Sequence, residues 1–379
     1  MNKKTVMTIL ITALASSILT VAGFCILFNL DGKNLLNFSR LLGAMTFIES
    51  HYVQEVDRNN LIDGAISGMV RSLGDPHSIY LDSKLYNRLK SETTGSFGGI
   101  GVYMGFKDGG VQVLSVMPDS PGEKVGLMAG DSILAVNSQP ISEIEPGEVA
   151  LKIRGEVGSD VELLIHREGE EDKTYKITRE VIKVDTVFGK MLDDKLGYIR
   201  ITNFSENTGK EFKEAYAQLE EQGMKGLIID LRENPGGLVT SCVEIANMVV
   251  PQGKIVSVVQ RDGTREDHMS QLPQAKYPLV VLIDGNSASA SEILAGALQD
   301  TQAAVLVGTK SYGKGSVQAV IPLPFGEALK LTIAKYYTPN GRSIDGTGIE
   351  PDEVVEQPAE STTDFQLAKA IEVMKNKLK

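Results

Sequence analysis

Cysteine and histidine are scarce in this chain: two cysteines (Cys25, Cys242) and four histidines (His51, His77, His166, His268) in 379 residues. Cys25 sits in an apolar segment, so neither a disulfide framework nor a cysteine-based metal site is supported. The histidines show no HExxH or paired spacing, which sets a zinc hydrolase aside. Clustered Lys/Arg is lacking too, and the formal net charge is −11. That balance opposes the phosphate neutralisation on which nucleic-acid binding depends. No internal repeat or low-complexity tract stands out. The 42% hydrophobic and 23% charged residues are ordinary for a globular protein. The length allows two or three domains of roughly 100–200 residues each.

Charge is missing from one stretch altogether. Behind Lys3 and Lys4, residues 5–30 carry none, and roughly 20 apolar residues span a bilayer as a helix. The expectation is one retained transmembrane helix, in contact with the lipid bilayer through residues 5–30. The N-terminus is then cytoplasmic and the remaining chain lies outside. The alternative is a removed signal peptide and a secreted body. Ala13-Leu-Ala15 fits a cleavage exit, but the apolar run continues well beyond it. Phe24 is too bulky a neighbour for Cys25 to read as a lipidation site.

Residues 34–91 read as mostly helical, with Leu35, Leu36, Phe38, Leu41, Leu42 and Met45 at helical spacing. A second helical pattern, Leu61–Leu73, stops at Gly74-Asp-Pro76. His77, just after that turn, reads as a local hydrogen-bonding residue. From 96 to 178 the pattern becomes β-rich. Phe97-Gly-Gly-Ile-Gly-Val102 puts three glycines before a strand, where backbone N–H groups would form a nest for a carboxylate. Val111–Val116 alternates like a strand, and 118–137 gives turn, short helix, turn and strand. Val149–Arg154 is a groove-lining helix. Arg154 is either a solvated helix-end cation or a contact to peptide and catalytic domain. From Leu196 onward strands and helices alternate, and 364–379 closes the chain as an amphipathic helix.

The chemistry concentrates in Tyr277–Gln318. An apolar strand, 278–284, runs into Gly285-Asn-Ser-Ala-Ser-Ala-Ser291 and then a helix, 292–300. Ser287, Ser289 and Ser291 all lie at the strand-to-helix turn, where one would cap the helix; Ser289 with Glu292 matches a capping box. A nucleophile there gains from the N-terminal amides and dipole, which favour oxyanion charge. The hydrolase elbow GxSxG is not matched. A glycine-framed lysine, Gly313-Lys314-Gly315, follows a second apolar run. Gly308 to Lys314 nearly spells a phosphate-binding loop, but Gly315 replaces the required Ser/Thr and a strand follows instead of a helix. The reading is a serine–lysine hydrolytic centre. To act as base, such a lysine must bring its ordinary pKa of about 10.4 down to about 7, worth on the order of 4 kcal/mol. Gln318, two strand repeats beyond Lys314, would share its face and orient the amine.

These motifs together resemble the carboxy-terminal processing peptidases, or tail-specific proteases. The resemblance covers about residues 35–355. It rests on Gly74-Asp-Pro-His-Ser and on the run Ala129-Gly-Asp-Ser-Ile-Leu-Ala-Val-Asn137, the signature of a PDZ domain of the bacterial protease type. It also rests on Arg232-Glu-Asn-Pro-Gly-Gly237, Ser-Ala-Ser-Ala-Ser-Glu-Ile, Gly-Lys-Gly-Ser-Val-Gln and Tyr-Tyr-Thr-Pro-Asn-Gly-Arg. It implies an α/β catalytic core of the ClpP/crotonase type, an inserted PDZ domain and an N-terminal helical region. The implied boundaries are 1–33 for the stub and anchor, 34–92 for the helical region, 93–180 for the PDZ domain, 181–355 for the peptidase core and 356–379 for the tail helix. Carried over residue by residue, the nucleophile falls on Ser289, the general base on Lys314 and the orienting glutamine on Gln318. The oxyanion donors fall on the Ala290 amide and on Gly236 or Gly237, and Glu292 matches an acidic position. The chain departs from the nearest alternative form of the loop, Asn-Gly-Gly-Gly, by carrying Pro235. PDZ binding would use Phe97, Gly98, Gly99, Ile100 and Gly101 to hold the C-terminal end of a peptide, with Arg154 as a gating contact. The expected partners are proteins or peptides with exposed C-terminal tails, without metal or cofactor. A homodimer would form through the N-terminal helical region and the tail helix.

Overall fold

The computed structural model describes residues 2–27, 32–107, 110–358 and 360–379. The chain divides into two units, Met1–Asp82 and Ser83–Lys379. The first unit holds helices α1 (Lys3–Leu27), α2 (Gly32–His51) and α3 (Arg58–Arg71). Asp57 caps α3 by accepting the Asn59 N–H at 2.8 Å, as the helix's unpaired first amides require. Beyond it, Asp75 takes the His77 N–H at 3.0 Å and the Ser78 hydroxyl at 2.5 Å. The Gly-Asp-Pro-His-Ser motif is thus a side-chain-braced turn.

The expected membrane-spanning helix is not supported. Among the described residues no helix is long and apolar enough to cross a membrane. In α1, Thr8, Thr12, Ser16 and Thr20 recur every fourth residue, and three of these hydroxyls bond the carbonyl four residues back. Residues 28–30, the end of the expected span, lie outside the described residues, as do the side chains of Phe24 and Cys25.

The second unit opens with α4 (Ser83–Thr94) and strand Ser96–Gly99, which pairs antiparallel with Glu180–Lys183. Between them lies a six-stranded antiparallel sheet whose main path is Val102–Lys107, Gly110–Val116, Ser132–Val136, Asp160–His166 and Lys173–Thr178. Two helices complete this layer, α5 (Pro121–Lys124) and α6 (Pro146–Ile153). Alternate residues turn inward: Val161, Leu163 and Ile165 are buried with Val111, Val113, Val149 and Ile153, the period-two pattern of a one-sided sheet. Asp131 of the Ala-Gly-Asp signature is buried and takes both arms of Arg167 at 2.7 and 2.8 Å, plus the Met128 N–H at 2.8 Å. That signature aspartate is therefore a structural residue.

The catalytic region is a six-stranded sheet in the order Val187–Leu192, Leu196–Ile201, Gly226–Asp230, Leu279–Ile283, Ala304–Gly308, Glu353–Val354. Its first pair is antiparallel and the rest parallel. Parallel strands covered on both faces are apolar at nearly every position. Ile199, Leu227, Ile229 and Val281 belong to one core with α7 (Thr208–Glu221), α8 (Val239–Val249) and α9 (Ala290–Asp300). Tyr198, Ile228, Val280 and Leu282 belong to the opposite core, closed by Ala370 and Met374 of α10 (Phe365–Lys377). A further antiparallel layer contains Ser316–Pro322, Ala328–Tyr337, Gly253–Gln260 and Arg265–Ser270. The strand directly after Lys314 confirms that Gly308–Gly315 is no phosphate loop.

Candidate active site

Ligand sites of α/β sheets form beyond the carboxyl ends of the parallel strands. Three neighbouring strands, Gly226–Asp230, Leu279–Ile283 and Ala304–Gly308, end on the same edge. Their following segments, 231–238, 284–289 and 309–315, carry the Asn-Pro-Gly-Gly loop, the serines and the lysine. Residues distant in sequence thus meet because their strands are adjacent and parallel.

The first segment is held by two side chains. Arg232 bonds Asp230 at 2.7 Å and Asp364, the N-cap of α10, at 2.8 Å. Burial opposes the guanidinium charge, but these two carboxylates outweigh it and raise its pKa. Asn234 is fully buried; its Nδ2 donates to Ile201 O at 2.9 Å and its Oδ1 accepts the Gly236 N–H at 2.8 Å. Gly236 has φ +99°, and a Cβ there would lie 2.6 Å from Ala288 O and 2.8 Å from Ser289 Cβ. Only glycine lets the loop approach the serine turn this closely. Among the described residues no partner is found for the Gly237 N–H. The Ala290 N–H is the first of α9, where no intrahelical carbonyl reaches it.

The serine turn separates its three hydroxyls. Ser287 is fully buried; it donates to Leu231 O at 2.8 Å and accepts the Asp284 N–H at 2.9 Å. Ser291, also fully buried, donates to Asn234 O at 3.0 Å. Ser289 is half-buried and sits at φ 56°, ψ −113°, a conformation that costs a non-glycine residue on the order of 1–3 kcal/mol. The surroundings enforce it: Ala288 N–H goes to Asn234 O at 3.0 Å and Ser289 N–H to Glu292 Oε2 at 2.8 Å. The serine's side chain meets the Tyr336 hydroxyl. Burial, then the Glu292 charge, push the Tyr336 phenol well above its ordinary pKa, so it stays protonated.

Lys314 is half-buried, and its glycine frame has a packing cause. A Cβ on Gly315 would fall 2.5 Å from Asp345 N, and Gly313 O accepts the Gly346 N–H at 2.8 Å. Lys314 lies just ahead of the strand that begins at Ser316, and the bulge opposite Val317 and Gln318 puts its extra residue on the partner strand, between Ala334 and Thr332, so Ser316 and Gln318 share a face. The Gln318 amide donates to Ser316 Oγ at 2.9 Å and Thr332 Oγ1 at 3.2 Å. Two contacts had no reading at the sequence level: the Lys314 N–H reaches Glu292 at 2.9 Å, and the Lys314 carbonyl accepts from the Tyr336 hydroxyl. Tyr336 lies in the Tyr-Tyr-Thr-Pro motif, the only trace of this in the sequence.

The expected peptide-binding residues differ in conformation. Gly98 and Gly99 end a short strand of their own, laddered with Val181 and Glu180, ahead of the strand Val102–Lys107. Gly101 alone of the three has a left-handed φ, +70°, and the Ile100 side chain is buried in the PDZ core. Arg154 caps the end of α6 and stacks 3.9 Å over the Phe97 ring. A cavity of about 750 Å³ lies there, away from Ser289, between α4 and α6 and lined by Arg88, Phe97, Leu151 and Arg154 among others.

Comparison with known proteins gives three family matches. Residues 195–355 match peptidase family S41, 29–85 the N-terminal domain of the activating protease CtpB, and 112–167 a PDZ domain. The carboxy-terminal processing protease CtpB of Bacillus subtilis (strain 168) is 39% identical over 321 residues, 83% of this chain and 67% of the relative. The carboxy-terminal-processing protease of Bartonella bacilliformis is 41% identical over 320 residues, 82% of this chain and 73% of the relative. Among solved structures, the photosystem II D1 C-terminal processing protease aligns with TM-score 0.51 and 28% identity, over 91% of this chain and 98% of that one.

Proposed function

The chain belongs to the carboxy-terminal processing proteases of peptidase family S41, and on that premise we propose that it works by serine–lysine chemistry outside the cytoplasm. It is a serine-type peptidase with a PDZ domain, a combination fitted to the C-terminal tails of protein substrates. Ser289 Oγ attacks the scissile carbonyl, and Lys314 takes its proton and returns it to the leaving amine. Water then hydrolyses the acyl-enzyme. The Ala290 and Gly237 amides receive the oxyanion. Gly237 is favoured over Gly236 because the Gly236 N–H is already committed to Asn234 Oδ1. Arg154, stacked on Phe97, is the contact through which an occupied groove acts on the peptidase core. Residues 5–30, uncharged behind Lys3 and Lys4, serve as the export segment.

The observation that carries this reading is the division among the serines. Ser287 and Ser291 spend their hydroxyls on buried backbone carbonyls, while Ser289 stands half-exposed at a strained strand-to-helix turn. The test compares casein degradation by the full-length protein with its Ser289→Ala and Lys314→Ala variants. Both are expected to lose more than about a thousandfold of the rate, and activity is expected to fall as pH drops through protonation of Lys314. Equal degradation by all three proteins would refute the assignment.

A further inference from the structure

Glu292 is fully buried, and its two oxygens collect four donors. Oε2 accepts the N–H groups of Ser289 at 2.8 Å and Lys314 at 2.9 Å. Oε1 accepts the Ser311 hydroxyl at 2.6 Å and the Gly313 N–H at 2.7 Å. A helix cap needs only the first of these bonds; the other three all come from the lysine loop, at the end of a different strand. On the far side of Lys314, its carbonyl accepts from the Tyr336 hydroxyl, and the Tyr336 N–H goes to Gly315 O at 3.0 Å. Tyr336 is 1% exposed and also meets the Ser289 side chain. The main chain of Lys314 is therefore gripped at both its N–H and its C=O by side chains that also touch Ser289.

We propose that Glu292 and Tyr336 form a positioning clamp, which sets the Lys314 main chain against Ser289 so that amine and hydroxyl meet in reactive geometry. The inference rests on the serine–lysine reading of the same site. Four donors around two oxygens call for a group that only accepts, which a carboxylate is and a carboxamide is not. In Glu292→Gln the new NH₂ faces two donors on whichever oxygen it replaces. Those donors lie on the lysine loop and, in one orientation, on Ser289 itself. Tyr336→Phe keeps the ring that fills the core and removes only the hydroxyl.

The experiment measures casein turnover and the rate at which a fluorophosphonate labels Ser289, in the full-length protein with thermal unfolding as a check. Each single substitution is expected to lower kcat and labelling by about 10- to 100-fold, the cost of displacing a reacting group by about 1 Å, with KM nearly unchanged. In a Lys314→Ala background the same substitutions are expected to add less than about twofold, because the group they position is gone. A purely structural role would instead multiply the losses. Labelling at the wild-type rate in Tyr336→Phe, or full multiplication in the Lys314→Ala background, would overturn the clamp. Should Glu292→Gln fail to fold, Tyr336→Phe decides alone. Labelling of Ser289→Ala at the wild-type rate would instead remove the serine–lysine reading, whatever the clamp variants do.

Discussion

Alanine exchange at Ser287, Ser289 and Ser291 removes the same oxygen from three positions within one turn of chain, yet the structure assigns each a different consequence. Ser287→Ala loses three bonds, of which the one to Asp284 Oδ1 matters little because that oxygen keeps the Glu233 and Asn286 N–H groups. Leu231 O retains a second donor, the Asn234 N–H at 3.2 Å, so the group left short is the Asp284 N–H. An orphaned buried donor costs about 1–3 kcal/mol, and about 2 kcal/mol is expected. Ser291→Ala removes a single bond to Asn234 O, which still accepts the Ala288 N–H at 3.0 Å, so about 1 kcal/mol is expected. Ser289→Ala keeps the same strained φ and gives up a half-buried hydroxyl, so its stability should stay within about 1 kcal/mol of wild type. Thermal unfolding, casein turnover and fluorophosphonate labelling of the three full-length variants make the comparison. The expected pattern is two destabilised enzymes that still turn over and one stable protein that neither turns over nor labels. A stable, inactive Ser287→Ala or Ser291→Ala beside an active Ser289→Ala would refute the reasoning.

Three other outcomes follow from the same geometry. Gly236→Ala must push aside Ala288 O and the Ser289 Cβ and hold alanine at φ +99°; turnover should fall by about a hundredfold, a loss read against labelling of Ser289. Asp131→Asn breaks a buried pair with Arg167 and should cost the PDZ layer about 3 kcal/mol, measured as lost hydrogen-exchange protection over 111–165. Burial opposes the Asp131 charge, but the Arg167 hydrogen bond, the Met128 N–H and the Arg167 charge outweigh it and hold the carboxyl below its ordinary range. A carboxyl with a lowered folded-state pKa stabilises fully above the unfolded value of about 3.9 and loses that contribution as pH falls through the folded value. PDZ protection should therefore weaken below about pH 4, and Asp131→Asn should lack that step; an unchanged step would contradict the role given to Asp131.

Much of the architecture was legible locally. The buried parallel strands announce themselves as unbroken apolar runs, such as Leu279–Ile283, because both faces are covered. Gly74-Asp-Pro-His-Ser is a motif whose polar members brace their own turn, so its cause lies within a few residues, whereas Asp131 of Ala-Gly-Asp-Ser-Ile braces Met128 locally and also pairs with the distant Arg167. The membrane-spanning helix is the expectation that found no support, since among the described residues no helix is long and apolar enough to cross a membrane.

By itself the sequence determined the family, the order of strands and helices in the catalytic region, and three serines and one lysine as the groups worth asking about. The turn pattern alone left the choice among the serines open, and only the family resemblance put the nucleophile on Ser289. Tertiary structure alone decided which hydroxyls are consumed by buried carbonyls, that the Gly236 N–H is already taken, and that one carboxylate, Glu292, touches both the serine turn and the lysine loop. The physical reason is that these partners come from the ends of three parallel strands, adjacent across the sheet and tens of residues apart along the chain. Hydrogen bonds of that kind leave no periodicity for a sequence to display.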